Sequence, residues 1–249
     1  MSSIRSIARI SKTGVTRLGT VAILGGCVLL VAPSAASAST SGSPWESILQ
    51  GIGKSVSTPF SVVYQLVETT KGVTTENESA TFAQDPATKQ VAFSTPQGAF
   101  YLSPTKTLAC RSAAGHLECT SLPKSLMADM TSIEDLFAPG VIKTHITDLE
   151  AQASAHGYTL SSYSQSYGWT GPGVSGAQYP SNCVKVTGPK MNGAGVFCSS
   201  SSHGVLTFAQ GSPSTTKTST ITIHAGSYVA NPPASTFAPP PGTTIVTFP

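Results

Sequence analysis

The spacing of hydrophobic positions changes several times along the chain. Phe60, Val62, Tyr64 and Leu66 alternate with Ser61, Val63, Gln65 and Val67, the period-2 signal of a strand with one apolar face. Strand-like runs follow at 79–84, 89–94, 98–103, 106–110 and 116–120, separated by turn residues such as Asp85-Pro86 and Thr95-Pro96-Gln97-Gly98. Together they predict a meander. The period then lengthens. Leu126, Met130, Ile133 and Phe137 recur at helical spacing, and Ile142, Ile146, Leu149 and Ala153 repeat it, with a break at Ala138-Pro139-Gly140 and a stop near Gly157. Strands resume at 158–168, 182–187, 194–199, 203–210 and 217–224, and the tail Asn231-Pro-Pro to Pro241-Gly242 reads as extended. Ahead of the first strand, the stretch from Trp45 to Ile52 suits a short helix. Segregated strands and helices predict an α+β fold, a curved antiparallel sheet with the helix pair 124–155 covering one face.

The first segment is an address rather than part of that fold. Arg5, Arg9, Lys12 and Arg17 precede an apolar run from Thr20 to Ala32, and Ala36-Ser37-Ala38 follows, the three parts of a secretory signal. The run is shorter than the roughly 20 residues a spanning helix needs. Residues 1–38 are therefore expected to be a signal peptide, 39–58 a tether with the short helix, and 59–249 one β-rich domain. Leu24-Gly25-Gly26-Cys27 offers a bacterial lipobox as a rival reading, but Val28-Leu29-Leu30-Val31 continues the apolar run past the cysteine.

Charge then excludes one class of partner. Charged residues make up 10% of the chain, and the +3 formal charge rests on 14 bases against 11 acids. Four of those bases belong to the signal, so the rest is close to neutral and its cations are scattered. A nucleic-acid partner needs a basic face and is not expected.

Cys110, Cys119, Cys183 and Cys198 remain beyond the signal. An even count in an exported chain reads as disulfides, with three possible connectivities. Pairing of neighbours, Cys110 with Cys119 and Cys183 with Cys198, is favoured because each pair brackets a hairpin-like turn. Zinc is the rival, but no Cys-x-x-Cys spacing supports it, and no metal or cofactor is expected.

Reaction chemistry was sought and not found. Gly171-Pro-Gly173-Val-Ser-Gly176 matches a dinucleotide loop literally, yet it leads into a strand instead of a helix. Gly53-Lys54-Ser55 lacks the first glycine of a P-loop, and Ser175 lacks the second glycine of a nucleophile elbow. His145 and Asp148 share a helix face, which reads as a solvated surface without a second histidine nearby. His116, His156, His203 and His224 are isolated. The chain is not expected to be an enzyme.

The run Phe60–Cys119, with Gln84-Asp-Pro-Ala-Thr-Lys89, Pro96-Gln-Gly98 and Phe100-Tyr101-Leu102, together with His203–Gln210 and Phe237-Ala-Pro-Pro-Pro-Gly-Thr-Thr-Ile-Val246, resembles the LolA-like superfamily. Within it, the chain looks most like exported actinobacterial relatives of the LppX/LprG lipid-carrier lipoproteins. The resemblance implies a half-barrel sheet whose concave face is apolar and covered by helices. It implies an extracytoplasmic carrier, secreted or in the cell envelope, holding a lipid acyl chain or a lipoprotein. The expected wall is Phe60, Val62, Tyr64 and Leu66, and the expected lid is Leu126, Met130, Ile133, Ile142, Ile146 and Leu149. Contact with a membrane surface and a monomeric state go with this reading. The alternative is a non-enzymatic envelope scaffold whose core is already filled.

Overall fold

The structure, a computed structural model, describes residues 46–113, 116–123, 150–151, 153, 155–168, 178–189, 194–212 and 219–247, apart from the side chains of Glu76 and Ala113. Helix α1 (Glu46–Val56) is followed by β1 (Phe60–Thr70), β2 (Val73–Asp85), β3 (Gln90–Thr95), β4 (Gly98–Leu102), β5 (Thr107–Ala113) and β6 (His116–Leu122). The second series is β7 (Thr159–Tyr167), β8 (Tyr179–Thr187), β9 (Gly195–Ser200), β10 (Leu206–Gly211) and β11 (Ser219–Ala230). A 3₁₀ turn (Ala234–Phe237) and β12 (Thr244–Thr247) close the order.

All twelve strands join one sheet, in the order β12-β6-β5-β4-β3-β2-β1-β11-β10-β9-β8-β7. Each series is a run of hairpins, and the two meet where β1 pairs antiparallel with β11. Local chemistry sets the tight turns. Between β1 and β2, Lys71 and Gly72 both have positive φ, 51° and 79°, the paired left-handed residues of a two-residue hairpin turn matched to sheet twist. The β1–β2 hairpin is longer than the alternation predicted, because Thr74–Ser79 is polar on both faces and carries no period-2 signal. The tail also departs from its reading. It is extended for part of its length, but it places Phe237 in a 3₁₀ turn and ends in β12, which pairs parallel with β6.

The sheet bends around α1. Ile48, near the start of α1, packs on Val184 of β8. Near its end the Gln84 side-chain amide of β2 donates to the Ser55 carbonyl at 2.6 Å and to that of Thr58 at 3.1 Å. β8 and β2 lie five strands apart in the order, about 24 Å on a flat sheet. The helix advances only about 10 Å from Ile48 to Ser55. Side chains bridge part of the difference, and curvature supplies the rest. The face toward α1 is therefore concave.

The opposite, convex face has its own cover. The arm after β11 crosses it and buries Phe237 against Ala83, Ala92 and Tyr101. Both expected disulfides form, Cys110–Cys119 between β5 and β6 and Cys183–Cys198 between β8 and β9, each joining directly opposed residues. The expected helix pair is not among the described elements. Its residues Leu126, Met130, Ile133, Ile142, Ile146 and Leu149 lie outside the described residues. Helical backbone is described at Glu150, Ala151, Ala153 and Ala155, and the chain leaves it through Gly157 at φ 73°. The element seen on the concave face is α1 instead.

Candidate functional site: the concave face

Strand register assembles the site. The alternation of β1 puts Phe60, Val62, Tyr64 and Leu66 on one face, and the pairing partners of these residues share it. One cross-strand row runs Tyr228, Val62, Phe82, Phe93, Phe100 and Ala109, from β11 to β5. A second runs Leu66, Ile223, Ala209, Phe197 and Val184, from β1 to β8. The concave face thus carries apolar rows from β5 across the β1–β11 seam to β8.

The four expected wall residues do come together, but unequally. Phe60 is 4% exposed and Val62 0%, whereas Tyr64 and Leu66 are partly buried. Phe60 contacts Phe82 at 5.9 Å between ring centroids and stacks on Tyr228 at 6.1 Å. His203 stacks on the same tyrosine at 4.2 Å. Tyr179, from the start of β8, joins this cluster and its phenol is hydrogen-bonded to the Tyr228 backbone. Burial pushes the phenol of Tyr64 well above its ordinary range, and the charge on a neighbouring Tyr179 phenolate would push it further. Tyr64 is therefore a neutral, desolvated wall residue at any physiological pH. Among the described residues, carboxylates border the rows: Glu78 pairs with Leu66, Glu68 with Ile221, and Glu118 with Arg111 beside Ala109.

Among the described residues, helical cover on this face is one-sided. Ile48, Leu49 and Ile52 of α1 pack over Leu160, Val184, Val186 and Phe197. Gly51 makes the closest approach, because a Cβ at Gly204 would stand 1.7 Å from the Gly51 carbonyl oxygen. Phe93 and Phe100, at the other end of the first row, are partly buried. Sequence reasoning left out Phe82, Phe93, Phe100, Tyr228 and Ile223. Phe82, Phe93, Phe100 and Ile223 stood in strand-like runs, but only register shows that they extend the wall.

The other candidate chemistry disperses. Gly53-Lys54-Ser55 lies within α1, where the Ser55 hydroxyl donates to the Ile52 carbonyl at 2.8 Å, so it is helix and not a phosphate loop. His203 and His224 are ring partners of Tyr228 and Phe208, and His156 meets Tyr158 edge-on. Residues 171–176, His145 and Asp148 lie outside the described residues. Among the described residues, no three His, Cys, Asp or Glu side chains gather to hold a metal ion. No helix among them is long and apolar enough to cross a membrane.

No protein-family model matches the chain, and no curated protein matches it in sequence. Solved structures similar to it include MucB in complex with MucA(peri), with 11% identity over 81% of this chain and a TM-score of 0.45. This chain spans 61% of that MucB chain. A DUF1329 family protein from Desulfovibrio piger is similar at 9% identity, 78% of this chain, 95% of its own and a TM-score of 0.33. A LolA superfamily protein from Nitrosomonas europaea is similar at 9% identity, 78% of this chain, 96% of its own and a TM-score of 0.29.

Proposed function

We propose that the protein is an extracytoplasmic, non-enzymatic carrier or binding protein that holds an apolar chain, such as a lipid acyl group, against its concave face. The cross-strand row Tyr228–Val62–Phe82–Phe93–Phe100–Ala109 carries this reading. It is uncharged, spans six strands, and in β3 and β4 is partly buried with no described element packed over it. The two disulfides, and the secretory signal expected from residues 1–38, support a location outside the cytoplasm. A lipoprotein acyl group is the same chemistry on a larger cargo, and the likeness to actinobacterial lipid carriers belongs to this reading.

One observation favours a second reading, an envelope scaffold with a filled core. Phe60, Val62 and Phe82 are already buried to 7% exposure or less, so the α1 end of the face is packed. The two readings separate at the far end of the row. Binding of a fluorescent fatty-acyl probe should be saturable and should fall at least tenfold in Phe100→Trp, with the melting temperature nearly unchanged. A protein that binds no probe, with Phe100→Trp strongly destabilised, is the scaffold.

A further inference from the structure

The sheet has two edges, and they are built differently. β12 is four residues long, approached through the proline-rich arm, and exposed throughout. β7 is nine residues long, pairs with β8 along its whole length without a bulge, and has no described strand beyond it. An edge strand presents a row of unpaired N–H and C=O groups, and soluble proteins guard such edges with charge, proline, bulges or shortness. Thr159-Leu-Ser-Ser-Tyr-Ser-Gln-Ser-Tyr167 has no charge, proline or bulge, is not short, has no described element beyond it, and six of its nine residues are exposed.

We infer that β7 is an interaction surface for a second copy of this chain, the two strands pairing antiparallel about a two-fold axis at Tyr163. The strand's own sequence is compatible with this partner. About that axis Tyr167 opposes Thr159, Ser161 opposes Gln165, Ser162 opposes Ser164 and Leu160 opposes Ser166. Every pair is uncharged. Aromatic with β-branched, and hydroxyl with hydroxyl or amide, are favourable neighbours across strands, whereas like charges would repel. A two-fold axis repeats each pair, so the contact is self-complementary and closes at two copies.

The layer beside the edge is ordered in advance. The Tyr163 and Tyr167 hydroxyls are hydrogen-bonded at 3.0 Å, and the Tyr167 ring stacks on Phe208 at 4.3 Å. Side chains already held in place lose little entropy on association. A dimer joined at β7 replaces the monomer expected from the sequence, and it leaves the concave face untouched.

Sedimentation velocity of the purified protein over a concentration series should show a reversible dimer. Ser162→Lys combined with Ser164→Lys sets like charges against each other across the axis and should weaken self-association at least tenfold. Both positions are exposed, so the melting curve should hold. Ser162→Cys and Ser164→Cys, prepared separately, should form a disulfide-linked dimer when mixed and not alone, and this decides the matter if the lysine variant folds poorly. A protein that stays monomeric at every concentration, a dimer indifferent to the lysines, or cross-linking within either cysteine variant alone would overturn the proposal. A monomer that instead captures an extended peptide along β7 also overturns it.

Discussion

The two series of strands solve the same burial problem on opposite faces. In β7–β11 the concave face is sealed by α1, through Ile48, Leu49 and Ile52 and the close Gly51–Gly204 contact. In β1–β6 the described cover lies on the convex face, where a single aromatic, Phe237, fills the space over Ala83, Ala92 and Tyr101. Each series also has one disulfide, between directly opposed strands. The stapling is alike and the covering is not. The lesson is that, among the described residues, the partly buried apolar surface without a helix over it lies in the first series of strands, at Phe93 and Phe100, and not beneath α1.

The contrast breaks most severely at Gly204. Its φ is +70° and any Cβ there meets the Gly51 carbonyl oxygen, so Gly204→Val adds left-handed strain to a backbone clash. Together these should cost about 4 kcal/mol. Chemical denaturation would show it, and hydrogen exchange should place the loss in α1 and β8–β10. A variant as stable as the parent would mean that α1 is not seated on that turn.

A smaller effect sharpens the difference between the two covers. Ile48 is fully buried in a sealed interface, and Ile48→Ala should cost about 2–5 kcal/mol. Phe237→Ala removes a larger side chain from a peripheral arm that can lift away and admit water. It should cost about 2 kcal/mol, below the usual range for a phenylalanine in a closed core. Equal losses in the two variants would put the arm on the same footing as the helix.

The smallest effect is one of pH. Burial holds His224 below the ordinary histidine value of 6.5, and its ring lies edge-on to Phe208 at 4.9 Å. The unfolded chain therefore binds this proton more readily than the native one. The stability tied to it is present above pH 6.5 and is lost as pH falls below that value. The melting temperature should drop between pH 7 and pH 5, and His224→Gln should flatten that slope. Exchange at low pH should rise first in β10 and β11. A slope unchanged in His224→Gln would assign the acid sensitivity elsewhere.

Legibility in the sequence followed the physics of each segment. Phe60–Leu66 was readable because large apolar side chains stand at every second position on one face of β1 while Ser61 and Gln65 interrupt the other, although both faces are partly buried. The disulfides were readable because each spans a short turn. Within α1, the stretch Gly53-Lys54-Ser55-Val56 was not read as helix because glycine and serine are poor helix formers and tertiary contacts such as the Gln84 bonds hold it. β12 escaped because its partner among the described strands, residues 118–121, lies far away in the chain. Of the site, sequence showed the one strand that forms its middle. The aromatic row on the neighbouring strands is a product of register, which no local pattern encodes.

The pairing of β1 with β11 also has a consequence in time. Every other antiparallel contact in the sheet joins strands that follow one another in sequence, while this one sets residue 60 opposite residue 230. Hairpins form in microseconds, but a contact of such long separation must first close a very large loop. The chain should therefore reach two ladders early and join them late, with the seam as the slow step. The seam's open end is already narrow, since the Asn231 N–H donates to the Pro59 carbonyl at 3.2 Å. A permuted chain that led from β11 straight into β1 through a short turn would convert the slowest event into one more hairpin.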